Sequence, residues 1–564
     1  MKKKTLSVIA AVLLLILIVG AIGIISRLVE KYTPTDERVE LSEYFGVSAE
    51  NEMALVLQDQ ILEEKGILED GIAYLNYEVV KEYLNTRFYW DANESLMVYT
   101  TPTDVIEIAA GEQEYSVSGD RTETSYVIVK VNGGQAYIAA DFVQQYTALD
   151  YEIYQEPARV VLTYQYGDVT RAELKKKSVV RTLGGIKSPI VTDVAKGDKV
   201  TVLEQMEDWT KVVTQDGCIG YIQNKRLGTL YTETLTTDFV EPEYTSIQKD
   251  YKINMVWHQV TSQESNYNLL QDIADVKGVN TISPTWFSII SNDGDISSLA
   301  NPDYVTTAHG QNMEVWALVD NFSTEIDTTT VLSNTSSRKT LINQLVASAI
   351  RYDIDGINVD FEAIPEEAGD AYIQFLRELS VKCRKNGLVL SVDDPVPMDF
   401  NTHYHRDEQA EVVDYVIIMG YDEHYVGSDA GSVASLPFAT AGVQNTLAAG
   451  VPAEKIVLGI PFYTRLWQTD SEGNVISNAY GMDTAEYLVS ENGATATWDE
   501  TTGQDYAEFT DGEGYFCQIW LENEASLEEK VKLVQEYGLG GVSAWKLGFE
   551  RASVWDVLLK YVSN

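Results

Sequence analysis

The chain has 564 residues, with 41 basic and 86 acidic side chains and a formal net charge of -45 at pH 7. Such an acidic surface repels phosphates, which excludes nucleic acid and anionic surfaces as the main partner. A hydrophobic content of 45% and a charged content of 23% are typical of folded domains rather than disorder, and the length requires several domains.

The three cysteines and five histidines predict neither a metal centre nor a disulfide framework. Cys218, Cys383 and Cys517 lie far apart, and no two histidines have the H-x-x-x-H spacing that a zinc site on one helix uses. We therefore expect that the chain uses no metal ion and no cofactor.

An apolar segment near the N-terminus predicts a transmembrane signal-anchor over residues 5–26. It follows Met1–Lys4, and Arg27 comes immediately after it. The stretch from Leu6 to Ile25 would span roughly 30 Å as a helix, enough to cross a bilayer. The alternative is a cleaved signal peptide, which has a shorter apolar region. By the positive-inside rule the lysines remain cytoplasmic, so the bulk is predicted to be extracellular, on the wall side of a cell membrane.

Residues 42–167 have a mixed pattern that predicts a small α+β domain. Ala54–Leu62 fits an amphipathic helix or a strand, and Glu78–Leu84 fits a short helix. Phe88–Tyr99 and Tyr126–Ile138 are predicted to form hairpins, because turn residues interrupt each of them. This arrangement resembles the stalk domain at the N-terminus of copper amine oxidases. No copper site is implied, since the segment contains no histidine.

Residues 178–228 predict five short strands separated by turns. Three segments carry the pattern: Lys196–Leu203 with a Lys-Gly turn, Trp209–Val213 with Trp-x-Lys-Val, and Asp216–Ile222 with Gly-Tyr-Ile. They resemble a bacterial SH3-like domain, and the resemblance implies binding to cell-wall peptide or glycan. The alternative is a spacer that uses the same aromatic residues in its own core.

Residues 229–249, rich in Thr and Glu, predict a linker. Over residues 250–564, strand and helix patterns alternate, with the clearest helices at Ser336–Arg351 and Ala368–Lys385. Eight such units predict an α/β fold, a (β/α)8 TIM barrel with its functional groups at the C-terminal ends of the strands. The predicted strands are Ile253–Val260, Thr281–Ile289, Met313–Val319, Gly356–Phe361, Val389–Asp393, Tyr415–Met419, Ile456–Ile460 and Gly541–Ala544. A small α+β insertion is predicted at about 466–525, after the seventh strand.

Asp355–Glu362, on the fourth predicted strand, contains a row of polar residues. Asn358, Asp360 and Glu362 point to one face of a strand, while the three residues between and before them are apolar and point to the other. Two carboxylates on a buried strand are costly unless they serve a chemical purpose. The alternative is a strand end in which salt bridges or hydrogen bonds satisfy these groups.

The segment Asp355–Glu362 resembles the D-G-x-D-x-D-x-E signature of glycoside hydrolase family 18, the chitinase-like family. Asn358 stands where that family usually has Asp. Asn at this position resembles the branch of spore cortex-lytic enzymes, which cut N-acetylglucosaminyl bonds in peptidoglycan. The resemblance therefore implies an active glycosidase, although the pH behaviour of chitinases is not expected to transfer.

Three further segments resemble the same family, in the family's order. Met419, Tyr421 and Asp422 end the sixth strand in a pattern similar to M-x-Y-D. Gly459–Arg465 is similar to G-x-P-x-Y-G-R at the seventh strand. Trp545 ends the eighth strand, where the family places a tryptophan beneath the bound sugar. The four motifs together cover nearly all of residues 251–564.

The resemblance implies a retaining, substrate-assisted mechanism in which the 2-acetamido oxygen of the substrate attacks the anomeric carbon. Glu362 would protonate the leaving oxygen and then activate water, so burial and the nearby Asp360 should raise its pKa. Asp360 would accept a hydrogen bond from the acetamide N–H, and Tyr421 would donate one to the acetamide oxygen. The implied substrate-binding residues are Asn358, Met419, Asp422, Arg465 and Trp545.

The site residues also have plainer interpretations. Tyr421 and Trp545 could fill the barrel mouth, Asp422 could hold its loop, and Arg465 could pair with an acid of the insertion. Three functions therefore stay open: an anchored hydrolase of β-linked N-acetylglucosamine in peptidoglycan, a hydrolase of chitin or N-glycans, and a non-catalytic glycan-binding protein. The presence of Glu362 argues against the third function, because lectin-like members of the family commonly lose this acid.

Overall fold

The computed structural model describes residues 2–563, with only the backbone described for Lys2–Thr5 and Ser7. The predicted cytoplasmic charge of Met1–Lys4 therefore lies outside the described side chains. An N-terminal helix covers Lys2–Tyr32, and its segment Val8–Tyr32 is long and apolar enough to cross a membrane. The chain divides into two compact units, one formed by residues 1–88, 108–114 and 123–241, the other by 89–107, 115–122 and 242–564.

The first unit contains a seven-stranded sheet that forms most of the predicted α+β domain. The strands, in spatial order, are Asp150–Gln155, Ala158–Thr163, Glu52–Val56, Ile61–Glu69, Ile72–Asn76, Gln135–Ala139 and Val129–Asn132. Its helices are Leu41–Tyr44, Tyr77–Leu84 and Ala140–Gln145. Ala54–Val56 forms a strand rather than a helix. It pairs with a neighbouring strand on each side, and all three side chains are fully buried.

A second seven-stranded sheet of this unit contains the five strands of the predicted SH3-like domain. In spatial order its strands are Ile190–Val194, Ser178–Arg181, Ile219–Gln223, Trp209–Thr214, Lys199–Gln205, Gly167–Glu173 and Tyr231–Leu235. Tyr231–Leu235 corrects the predicted linker, because it pairs antiparallel with Gly167–Glu173. Its side chains alternate between half-buried and exposed, which suits an edge strand and explains why the stretch resembles a polar linker.

The second unit is built around a closed barrel of eight parallel strands, which confirms the predicted fold. The strands are β1 Ile253–His258, β2 Thr281–Ile289, β3 Glu314–Asp320, β4 Gly356–Asp360, β5 Val389–Pro395, β6 Tyr415–Met419, β7 Ile456–Pro461 and β8 Gly541–Trp545. Each strand pairs with its neighbours in sequence, and β1 pairs with both β2 and β8, so the sheet closes on itself. The main surrounding helices are Pro302–Gly310, Thr328–Ser333, Thr335–Tyr352, Gly369–Asn386, Arg406–Val412, Leu436–Ala448, Glu524–Glu536 and Val554–Val562.

Apolar side chains pack on both faces of the barrel sheet, one set inside the barrel and the other against the surrounding helices. The interior cluster comprises Ile253, Met255, Trp257, Trp316, Leu318, Val389, Tyr415, Ile417 and Val457. Residues of opposite parity, such as Ile357, Val359 and Phe361, pack outward against the helices. This alternation turns Asn358 and Asp360 inward, which is the orientation that the sequence predicts.

The stretch between β7 and β8 forms a separate five-stranded sheet. Its strands, in spatial order, are Val475–Gly481, Tyr463–Thr469, Phe516–Leu521, Gln504–Thr510 and Thr497–Asp499, and the helix Met482–Glu491 packs on it. The sheet begins at Tyr463, directly after β7 ends at Pro461, slightly before the predicted start. The functional motif at the end of β7 is therefore shared between the barrel and this sheet.

A further five-stranded sheet interrupts the predicted α+β domain, with strands Phe88–Asp91, Leu96–Thr100, Val105–Ala109, Glu114–Val117 and Asp120–Glu123. Its residues within the second unit contact the barrel helices. Asp91 Oδ2 accepts hydrogen bonds from the backbone N–H and the hydroxyl of Thr335, both at 2.7 Å. The Tyr89 ring lies 4.8 Å from the Arg338 guanidinium, and Thr100 Oγ1 accepts from Gln374 Nε2 at 3.0 Å. The sheet thus caps the helix Thr335–Tyr352.

We predict that Asp91→Ala lowers the free energy of unfolding by about 1.5–3 kcal/mol, because it removes a buried acceptor from the two hydrogen bonds to Thr335 and from two more to the backbone N–H groups of Asn93 and Glu94. The measurement is the unfolding of the full chain in urea, compared with Asp120→Ala, which removes an exposed carboxylate from the same sheet. Equal stabilities of the two variants would contradict this capping role.

Candidate functional site

Carboxylates end three neighbouring strands at the C-terminal end of the barrel. The register pairs Asp320 of β3 with Asp360 of β4. On the other side of β4, Val359 pairs with Val392 of β5, so Asp360 and Asp393 come next in the same register. All three side chains are at least nine-tenths buried. Because adjacent strands lie about 4.8 Å apart, three acidic groups share one small region of the barrel mouth.

Asn358 occupies the centre of the barrel interior and uses its whole hydrogen-bonding capacity. Its Oδ1 accepts from Trp257 Nε1 at 3.1 Å and from Ser283 Oγ at 3.0 Å. Its Nδ2 donates to Ser391 Oγ at 3.0 Å and to Asp393 Oδ1 at 2.8 Å. The residue is completely buried. Its side chain therefore lies below the cleft as a support, rather than on the surface that a ligand would touch.

Asp360 lies directly above Asn358 and is buried with one oxygen unused. Its Oδ1 has no hydrogen-bond partner among the described residues. Burial raises the pKa of Asp360 well above its ordinary value, and the neighbouring charges of Asp393, Glu362 and Asp320 raise it further. The protonated form of Asp360 is thus favoured over that of an ordinary carboxyl group, and one oxygen is available for a ligand or a neighbouring acid.

Glu362 follows the end of β4 and reaches into solvent at the mouth. Its backbone is fixed by Asn321, whose Oδ1 accepts from the Glu362 N–H and whose Nδ2 donates to the Glu362 carbonyl, both at 3.0 Å. Desolvation by the cleft walls raises the pKa of its carboxyl group, followed by the charges of Asp422 and Asp320. A carboxyl group with a raised pKa that is reachable from solvent is suited to general acid chemistry.

The end of β6 brings Tyr421 and Asp422 to the same mouth. Burial raises the pKa of the Tyr421 hydroxyl well above its ordinary value, and the charges of Asp393 and Asp360 contribute, so these groups are near one another. Asp422 Oδ1 accepts from the Tyr463 hydroxyl at 2.5 Å. Tyr421 is therefore a neutral phenol beside the buried acids, and Asp422 is fixed by the strand that follows β7.

Aromatic rings form the floor of the cleft. Trp257 packs against Trp545 with ring centroids 6.0 Å apart, and against Tyr421 at 6.4 Å. Trp545, at the end of β8, remains half-buried, as does Met419 at the end of β6. Arg465 is half-buried as well, with a long contact of 3.5 Å from Nη1 to Ser477 Oγ and with its Nε lacking a partner among the described residues.

The structure brings the predicted residues Glu362, Asp360, Tyr421, Met419, Asp422, Arg465 and Trp545 to one end of the barrel and places Asn358 beneath them. Asp355 is scaffold, since its Oδ2 accepts from the His309 ring and from the Val315 backbone N–H, each at 2.8 Å. Sequence reasoning missed Asp320, Asn321 and Asp393. A sequence pattern could have identified two of them: Asp320 and Asp393 are acidic residues at inward positions near the ends of apolar strands.

Three family models match the chain. Glycosyl hydrolases family 18 matches residues 309–550, the bacterial SH3 domain matches residues 179–228, and the copper amine oxidase N-terminal domain matches residues 57–162. The first covers all four motifs of the site, and the other two cover most strands of the two seven-stranded sheets of the first unit.

Curated relatives point to the same family. The uncharacterized glycosylase YvbX of Bacillus subtilis is 27% identical over 53% of this chain and 89% of its own length. The cortical fragment-lytic enzyme of Bacillus subtilis is 29% identical over 40% of this chain, and the match spans about half of that enzyme (54%). Chitinases also match, at 26% and 25% identity.

Among solved structures, the spore cortex-lytic enzyme SleL of Bacillus cereus superposes with a TM-score of 0.51 at 20% identity, covering 60% of this chain and 80% of that one. This similarity supports the fold of the barrel. Together with the four motifs and the arrangement of acids at the barrel mouth, these matches identify residues 309–550 as a glycosidase domain of glycosyl hydrolase family 18 and residues 179–228 as a bacterial SH3 domain.

Proposed function

We propose that this protein is a membrane-anchored, wall-facing hydrolase that cleaves β-linked N-acetylglucosamine bonds of peptidoglycan with retention of configuration. The observation that carries the proposal is the arrangement of one solvent-accessible acid, Glu362, beside the buried Asp360 and the phenol Tyr421. A second carboxylate two residues back on the same strand face is too close to act from the opposite side of a sugar ring. The nucleophile would then be the acetamide oxygen of the substrate.

Glu362 would act first as the acid and then as the base. Its raised pKa keeps the proton available for the leaving oxygen, and once ionised it would deprotonate the attacking water. The two hydrogen bonds between the Asn321 side chain and the Glu362 backbone, one in each direction, hold that backbone in place, so the carboxyl group would need little reorganisation during the reaction.

Asp360 and Tyr421 would hold the acetamide group of the substrate. The unpartnered Oδ1 of Asp360 is suited to accept a hydrogen bond from the acetamide N–H, and the Tyr421 hydroxyl would donate to the acetamide oxygen. Trp545 would support the sugar ring from below, while Met419, Asp422 and Arg465 would line its sides. The Nε of Arg465 offers a donor for a hydroxyl or carboxylate of the glycan.

Three features favour a wall glycan as substrate. The N-terminal helix Val8–Tyr32 would anchor the chain with its remainder outside the cell. The bacterial SH3 domain carries Trp209 and Tyr221, both half-exposed, which would contact wall peptide or glycan. The relatives include an enzyme named for lysis of cortical fragments.

A second candidate is the hydrolysis of chitin, chito-oligosaccharides or N-glycans by the same chemistry. Phe322, Phe400 and Tyr425 are exposed on the loops that follow β3, β5 and β6. Exposed aromatic rings around a sugar cleft favour a regular glycan chain without peptide branches, since each ring can stack on one sugar.

We predict that Glu362→Gln lowers hydrolysis by about 10²–10⁴-fold, because glutamine cannot transfer a proton to the leaving oxygen. Reducing ends are counted after incubation with purified peptidoglycan and, separately, with chito-oligosaccharides. Glu366→Gln, at an exposed position nearby, is the matched control. Cleavage of chitin alone would contradict the wall substrate, and no release from either glycan by the wild type would support a glycan-binding protein instead.

We predict that Asp422→Asn moves the basic limb of the pH–activity profile to lower pH. The negative charge of Asp422 contributes to the raised pKa of Glu362, so its removal lowers that pKa and the acid loses its proton earlier as the pH rises. Asparagine retains an oxygen for the Tyr463 hydroxyl. The profile of kcat/KM is compared with that of Asp429→Asn on the same loop, and coincident basic limbs would refute the electrostatic coupling.

We predict that the mature chain remains in the membrane fraction of a bacterial host, resists extraction by alkaline carbonate and is released by detergent, because a helix of this length needs the bilayer core. N-terminal peptide mapping and protease accessibility of intact cells complete the measurement. Recovery of the chain in the medium without its first ~25 residues would favour the cleaved signal peptide.

A further inference from the structure

Asn358 stands where glycosyl hydrolase family 18 usually has an acid, and the next strand, β5, supplies an acid beside it, Asp393. Asp393 projects inward from β5, two residues after Ser391, and its Oδ1 accepts a hydrogen bond from Asn358 Nδ2 at 2.8 Å. Asp393 is almost fully buried. It lies in register beside Asp360, one residue beyond the paired Val359 and Val392. The barrel therefore contains two buried acids side by side, and an amide fixes one of them.

Two buried carboxyl groups at neighbouring strand positions cannot both ionise at low cost, so one proton is retained between them. Desolvation raises the pKa of Asp360 well above its ordinary value, and the charge of Asp393 raises it further. Burial likewise raises the pKa of Asp393, against the opposing effect of the hydrogen bond from Asn358 Nδ2. This hydrogen bond favours the ionised form of Asp393 at Oδ1.

The other described groups that face Asp393 do not compensate the negative charge that Asp360 and Asp393 would have if both were ionised. Asp394, the next residue, points to the outside of the barrel and is balanced by Arg406 at 3.0 Å. Glu362, at the mouth, raises the pKa of Asp393 further whenever it is ionised. The hydroxyls of Tyr421 and Tyr372 are neutral, since burial raises the pKa of both well above their ordinary values. Among the described groups facing Asp393, no cation neutralises the pair formed with Asp360.

We propose that Asp393 is a positioning residue that shares one proton with Asp360 and takes this proton when substrate binds. The proposal rests on the proposed hydrolysis by the same site. In the free protein the proton lies between the two carboxyl groups. When the acetamide N–H reaches Asp360, the proton moves from the Asp360 oxygen to an oxygen of Asp393, and Asp360 becomes the anion that accepts the N–H hydrogen bond. One O–H bond breaks and one forms, so no other reactant is needed.

Asn358 and Asp393 would then each perform part of the role that a single Asp at position 358 could perform. Asn358 remains neutral, satisfies Trp257 and Ser283, and orients Asp393 through its N–H. Asp393 provides the proton-accepting oxygen from the adjacent strand. Ionisation of Asp360 when substrate binds would stabilise the positive charge that develops on the cyclising acetamide in the transition state.

We test the proposal with Asp393→Asn, which keeps the size of the side chain and an oxygen for Asn358. The expected result is a fall in kcat of about 10²-fold with a change in KM below about threefold, because the loss acts on the transition state. The measurement uses the full chain and whichever glycan the wild type cleaves. Unchanged kcat in Asp393→Asn, with active wild type and inactive Glu362→Gln, would overturn the proton-sharing role while leaving the proposed function intact.

The double variant N358D/D393N exchanges the amide and the acid between the two positions. It keeps one carboxyl group beside Asp360 and lets the new amide donate to the new carboxylate, so we expect it to recover at least about tenfold of the lost kcat. A merely structural role of Asp393 predicts no such recovery. Loss of activity in the single variant without recovery in the exchange would therefore overturn the proposal.

A readout without substrate distinguishes failure of this proposal from failure of the proposed function. A group with a raised folded-state pKa stabilises the fold at low pH and loses that stabilisation as the pH rises through its folded-state value. Asp393→Asn removes the like charge next to Asp360, so the midpoint of thermal unfolding should fall less steeply with pH above the ordinary carboxyl range than in the wild type. Parallel slopes would contradict proton sharing even if no substrate were found.

Discussion

The site depends on one buried amide. Asn358 receives hydrogen bonds from β1 and β2 and gives hydrogen bonds to β5, so a single side chain links strands around the barrel interior. A carboxylate at this position could accept from Trp257 and Ser283 but would have no proton for both Ser391 and Asp393. The amide therefore sets the number of charges that the interior must accommodate, and it allows an acid on β5 to be buried.

Burial has different consequences for the acids above this amide. Asp320 is hydrogen-bonded to Ser288 and to the Phe322 backbone, which oppose the effect of its desolvation. Asp360 lacks such a partner at Oδ1 and is the more strongly perturbed. Glu362 is reachable from solvent, but desolvation by the cleft walls, followed by the charges of Asp422 and Asp320, raises the pKa of its carboxyl group. In the proposed mechanism, the same accumulation of negative charge would support a structural group, a ligand-binding group and a proton donor, according to the hydrogen bonds that each one makes.

The sequence predicted the barrel because each strand pattern is local: a short apolar run ends in polar residues, and helices lie between. It also predicted the inward row Asn358, Asp360 and Glu362, since parity along one strand needs no knowledge of the neighbours. Asp393 could not be found in this way, because its importance comes from a register with a strand 35 residues away in the chain. Tyr231–Leu235 was missed for a related reason, since an edge strand without buried side chains resembles a linker until its pairing partner is known.

The capping of a barrel helix by Asp91 also has a consequence for how the chain folds during its synthesis. Asp91 and Thr335 are 244 residues apart, and the sheet that contains Asp91 leaves the ribosome long before the helix it contacts. Until then Asp91 and Tyr89, both buried in the finished protein, have no barrel to cover them. The chain must therefore keep this segment unaggregated through most of its own synthesis, and completion of the barrel becomes the event that covers a sheet begun near the N-terminus.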